Sequence, residues 1–175
     1  MNGSNRFVIQ QLTSWLDQGL QPWLATVIKT YGSSPRPIGS MMIYHPDKGV
    51  IGSLSGGCIE QELMRQLANQ PSEELICPAV IRYGESPEEQ SRLALPCGGH
   101  LDILLEKITP AEKEHFNIIV EALDSRVWIS REVDLTTGQI KTLAHPADKS
   151  SSKSNAQEEL GNSNNLDIHR TEYSI

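Results

Sequence analysis

Two of the three cysteines in this 175-residue chain sit beside paired glycines: Cys58 in Ser55-Gly56-Gly57-Cys58-Ile59-Glu60 and Cys97 in Leu95-Pro96-Cys97-Gly98-Gly99. Glycine has no side chain, so a bulky group can approach a neighbouring sulfur closely. Hydrophobic spacing predicts a helix over 58–67, which puts Cys58 within a turn of its N-terminus. Unpaired N–H groups and the positive end of the helix macrodipole there stabilise a thiolate and favour bound anions. Gly56 and Gly57 let backbone N–H groups turn inward as a nest for a phosphate-like group. The bland role for such a cysteine is a small buried hydrophobe behind a tight turn. Two motifs of this kind in one chain point instead to a ligand.

A third segment, Tyr31-Gly32-Ser33-Ser34-Pro35-Arg36-Pro37-Ile38-Gly39-Ser40, stiffens Arg36 between two prolines and flanks it with hydroxyls, including Ser33 and Ser34. A rigid guanidinium among hydroxyls suits a phosphate or another oxyanion, although a surface arginine equally pairs with surface carboxylates. Glu60 is open to two roles, acid or base beside Cys58 or complement to the helix dipole, whereas Glu62 is read as a residue that complements the dipole. Familiar alternatives fail. Cys58-Ile59 follows Gly52-Ser53-Leu54-Ser55-Gly56-Gly57 where a P-loop needs Lys and Ser/Thr, and no Gly-x-Gly-x-x-Gly occurs. No Cys-x-x-Cys pair marks a closed zinc site, and the five histidines are scattered. Cys77, inside an apolar run before Pro78, reads as core.

These loops need a scaffold. Phe7, Val8, Leu12, Trp15 and Leu16 predict a helix over 5–18, ended at Gly19. Strands are predicted at 23–28, 41–44, 50–52, 74–83 and 101–106, with a last hairpin over 128–143 turning at Thr137-Gly138. Ser86-Pro87-Glu88-Glu89 is an N-cap followed by proline in the first helical position. The alternation predicts an α/β (or α+β) fold, a mixed sheet with helices packed on it, in a single compact domain over 1–145. Residues 146–175 read as a polar, flexible tail or linker, since Lys149 to Asn165 carries too little apolar surface to offset ordering entropy.

The net charge of −7 and an aromatic content of 5% oppose nucleic-acid binding. No signal peptide or membrane span is legible, and an odd number of cysteines in such a chain argues for reduced thiols, which implies a cytoplasmic protein.

The three motifs, in this order and spacing, resemble the N-terminal domain of the XdhC/CoxI family, the xanthine dehydrogenase accessory factors. The resemblance covers roughly residues 10 to 106. It implies a chaperone without turnover chemistry that holds molybdenum cofactor (molybdopterin) as cargo, assists its sulfuration with a cysteine desulfurase, and inserts it into a molybdenum hydroxylase such as xanthine dehydrogenase. Cys58 and Cys97 would approach the molybdenum, Arg36, Ser33, Ser34, Ser55, Gly56 and Gly57 would hold the phosphate end, and Gly98, Gly99 and Glu60 would complete the site. A homodimer fits so small a chaperone. Family members carry a C-terminal Rossmann-type domain after this region, which the polar tail here does not provide. A thiol-based redox or sulfur-transfer enzyme, with Cys58 as nucleophile and Cys97 resolving it, is the alternative; a structural partner-binding module with buried cysteines is a third.

Overall fold

The computed structural model describes residues 3–32, 36–69, 78–93, 99–125, 127–145 and 168–173. In chain order these form α1 (Gly3–Asp17), β1 (Trp23–Tyr31), β2 (Met41–His45), β3 (Gly49–Gly52), α2 (Cys58–Asn69), β4 (Ala79–Tyr83), α3 (Pro87–Arg92), β5 (His100–Lys107), α4 (Lys113–Asp124), β6 (Trp128–Asp134), β7 (Ile140–His145) and β8 (Ile168–Tyr173).

A five-stranded sheet in the order β3-β2-β1-β5-β4 forms the centre, and a three-stranded sheet, β7-β6-β8, lies beyond it. The α/β class expected from the sequence is present. Each described strand pairing is antiparallel, so the expected mixed sheet has no parallel pair among the described residues. β1 is buried on both faces because its alternating side chains feed two cores. Leu24 joins Val8, Leu12, Trp15, Phe116 and Ile119 from α1 and α4, whereas Trp23, Ala25 and Val27 join Ile59, Leu63 and Leu67 from α2. Helices therefore cover both faces of the central sheet.

Local chemistry explains several boundaries. The Ser86 hydroxyl accepts the Glu89 N–H at 3.1 Å and Pro87 opens α3, as the sequence predicts. Asp134 accepts the N–H groups of Thr136 and Thr137 in the β6–β7 turn, which Gly138 completes at φ +71°. α4 was not expected. Its approach is fixed by Glu112, whose carboxylate accepts the Thr109 N–H at 2.7 Å and the Thr109 hydroxyl at 3.0 Å. β8 comes from the segment expected to be a flexible tail, and its polar sequence pairs with β6 from Ile129↔Tyr173 to Asp134↔Ile168. Cys77 and the first residues of the strand expected at 74–83 lie outside the described residues.

One ion pair connects the two sheets. Glu106 of β5 accepts two hydrogen bonds from Arg131 of β6, at 2.7 and 3.0 Å, and both side chains are almost inaccessible to solvent. The guanidinium also lies over the Phe116 ring, 5.1 Å from its centroid.

Candidate functional site

Strand register brings the C-terminal ends of β1 and β3 and the N-terminal ends of β2 and β5 to one end of the central sheet. Tyr31, which opens the Arg36 motif, pairs with His100, the residue after Gly99, and their rings stack 3.7 Å apart. The Arg36 loop returns through Gly39 and Ser40, which exchange backbone hydrogen bonds with Val27 at 2.7 and 2.9 Å. It enters β2 at Met41, whose carbonyl accepts the Ser53 N–H at 3.0 Å, so the loop before Cys58 leaves the sheet beside it. Gly52 makes that exit possible. Its φ is +95°, and a Cβ there would stand 2.2 Å from the Met41 carbonyl oxygen and 2.8 Å from the Val8 side chain.

Cys58 is the first residue of α2, at the helix start the sequence predicts, and it is exposed rather than buried. The loop in front of it differs from the expectation. Glu60 turns back onto that loop and fills the nest formed by its N–H groups. Its Oε1 accepts the N–H groups of Leu54 (2.8 Å), Ser55 (2.9 Å) and Gly56 (3.0 Å) and the Ser53 hydroxyl (2.7 Å). Its Oε2 accepts the Gly57 N–H (2.9 Å) and the Ser55 hydroxyl (2.6 Å). Burial alone would raise this carboxyl's pKa. Hydrogen bonds from the Ser55 side chain and backbone, Ser53 and Gly56 outweigh it, and Glu60 stays ionised well below the ordinary carboxylate range.

The cradle that Ser55, Gly56 and Gly57 were expected to offer a phosphate is thus occupied by the chain's own carboxylate. Glu60 itself, only 7% exposed, holds the loop rather than facing a ligand. The physical reason is helix capping. Gly57 precedes the helix and Glu60 is its third residue, the spacing at which a glutamate reaches back to the N-cap N–H. Gly56, at φ +103° with nothing within 4 Å of a Cβ, supplies the backbone conformation that lets the N–H groups converge.

Glu62 also differs from its expected role at the helix dipole. It is 8% exposed and is held by Arg65 (2.7 and 3.1 Å), Gln66 (3.1 Å) and Arg92 of α3 (2.9 Å). Hydrogen bonding from Arg65, helped by Arg92 and Gln66 against the opposing effect of burial, lowers its pKa to about 2. Gln66 in turn accepts the hydroxyl of buried Tyr83 at 2.8 Å.

Arg36 is half-buried in the β1–β2 loop, and Gly99 is buried where its motif enters β5. Ser33, Ser34, Cys97 and Gly98 lie outside the described residues. Among the described residues no group of three or more His, Cys, Asp or Glu side chains is placed to hold a metal ion. No described helix is long and apolar enough to cross a membrane.

Residues 15–74, which contain the Arg36 loop and the Cys58 turn, match the XdhC and CoxI family. Among characterised relatives, the molybdenum cofactor insertion chaperone PaoD of Escherichia coli is 31% identical over 111 residues, covering 61% of this chain and 31% of that protein. A probable xanthine dehydrogenase component of Bacillus subtilis is 25% identical over 116 residues, covering 65% of this chain and 34% of its own length. The chain therefore spans about a third of each of these two relatives. The fold is also that of a crystal structure described as a xanthine dehydrogenase from Bacillus halodurans, with a TM-score of 0.64 at 24% identity over 95% of this chain and 52% of that one.

Proposed function

We propose that this chain is an accessory protein that holds molybdenum cofactor as cargo for a molybdenum hydroxylase such as xanthine dehydrogenase. The observation that carries this reading is Cys58: an exposed thiol on the first turn of α2, behind a loop fixed by Glu60, inside the segment that matches the XdhC and CoxI family. A thiolate is a soft ligand suited to a metal bound through sulfur, and a rigid loop presents it without a reorganisation cost. Arg36 and the Leu95 to Gly99 motif, with Cys97, are assigned to the same cargo; the pairing of Tyr31 with His100, at the sheet end from which the Cys58 loop departs, supports that assignment. Ser33, Ser34 and Gly98 are assigned to the same site through their motifs. In this reading the protein performs no turnover of its own, acts in the cytoplasm, assists sulfuration of the bound cofactor with a cysteine desulfurase and works as a homodimer.

The test is retention of cofactor by the purified protein after gel filtration. Wild type is expected to carry it, and Cys58→Ala to carry much less. A wild type that emerges without cofactor, or a Cys58→Ala protein that retains as much, overturns the reading.

A further inference from the structure

We propose that Arg65 and Arg92 form a clamp for a phosphate or diphosphate ester, and that it takes the phosphorylated end of the ligand whose other end lies against Cys58. This last assignment rests on the cofactor-handling reading; the clamp does not.

The loop nest cannot receive an external phosphate, because Glu60 fills it. The anion-binding chemistry lies further along the same helix. Cys58 and Arg65 are seven residues apart on α2, two turns, which returns the side chain to the same face about 10 Å further along the axis. Gln61, between them on that face, is exposed like Cys58 and Arg65. A ligand touching the Cys58 sulfur and lying along α2 therefore reaches Arg65 at a distance suited to a pterin with a phosphate or diphosphate tail.

At that point two guanidiniums meet. Arg65 uses Nε and Nη2, and Arg92 uses Nη1, on the single carboxylate of Glu62. Arg92 is shared with a second carboxylate, since its Nη2 lies 3.8 Å from Glu89 Oε1, while Glu89 Oε2 accepts the Gly84 and Glu85 N–H groups ahead of α3. Each guanidinium carries five N–H donors, so both keep outward donors after binding Glu62. The side chains are 61% and 54% exposed while their forks are held from below. Fixed, half-exposed guanidiniums lose less entropy on gripping an oxyanion than free surface arginines. Glu62 is accordingly a positioning residue for both.

The probe is inorganic pyrophosphate, titrated calorimetrically into the purified chain at low ionic strength. Wild type should bind it saturably, and Arg65→Gln and Arg92→Gln should each weaken binding about tenfold, the loss of one charge-assisted contact. Lys113→Gln, at a residue that pairs with Asp17 on the sheet face opposite α2, should bind as wild type does. Circular dichroism checks folding of each variant. Should a glutamine variant unfold, Arg65→Lys and Arg92→Lys keep the charge on Glu62, remove the planar fork and should still weaken binding severalfold. No saturable binding by wild type, or binding that survives both arginine substitutions, overturns the clamp. Pyrophosphate bound at the arginines by a protein that retains no cofactor supports the clamp and removes the cofactor reading. Cofactor retained by a protein that ignores pyrophosphate does the reverse.

Discussion

Replacing Glu60 by glutamine keeps the shape of the side chain and removes its charge, which makes it a sharp probe of the loop before Cys58. Four donors converge on Oε1 and two on Oε2. With its carbonyl oxygen in the Oε1 position, the glutamine keeps four bonds, now neutral and about half as strong. Its amide then faces the Ser55 hydroxyl, which can rotate to accept, and the Gly57 N–H, which cannot. The loss of charge assistance together with one donor–donor conflict amounts to about 2–4 kcal/mol, below a simple sum because the bonds share one carboxylate. Urea denaturation of both proteins near neutral pH should show that gap.

Its pH dependence follows from the depressed pKa. A carboxylate held below its ordinary value of 4.5 contributes stability that is fully present above that pH and is lost as pH falls toward the folded-state value. The wild-type advantage over Glu60→Gln should therefore narrow below pH 4.5, by up to about 1.4 kcal/mol per unit. Glu62 titrates in both proteins, so the difference isolates Glu60. A variant within about 0.5 kcal/mol of wild type at neutral pH, the range of an ordinary surface change, or a gap that stays constant in acid, refutes the assigned role.

Other substitutions probe the scaffold. Gly52→Ala places a Cβ against the Met41 carbonyl in a left-handed backbone and should cost about 3 kcal/mol or more, read as a fall in Tm; an unchanged Tm would contradict the Gly52 geometry. Arg131→Met leaves Glu106 as a buried unpaired charge and should cost about 3–5 kcal/mol, whereas Arg131→Met with Glu106→Leu should recover most of it. Equal losses in the single and double variants by chemical denaturation would show that the pair has no such coupling.

The periodic elements were legible in the sequence because their patterns are local: the Trp15 helix, the Trp23 strand, the Ser86-Pro87 start and the helix opening at Cys58 follow spacing and caps. α4 escaped because its polar residues dilute the Phe116, Ile119, Ala122 and Leu123 stripe, although Thr109-Pro110 with Glu112 carries a start signal. β8 escaped because nothing apolar announces it; β6, far back along the chain, supplies its pairing. The function of Glu60 was readable in principle. Gly57 and Glu60 have the spacing of a capping glutamate, and the paired glycines drew attention to an outside anion when the helix provides one itself. Pairing between Glu106 and Arg131, or of Arg65 and Arg92 on Glu62, depends on which elements meet, and no local pattern encodes it.

The Glu106–Arg131 bridge also governs how the molecule opens. Each charge is sealed from water and has the other as its counter-ion, so parting the two sheets strands both in an apolar interior until water floods in. Partial detachment of the small sheet is thereby penalised, and the central amides of β5 and β6 should exchange with solvent together rather than separately. The large sheet, which carries the Cys58 and Arg36 loops, should then open only together with its neighbour.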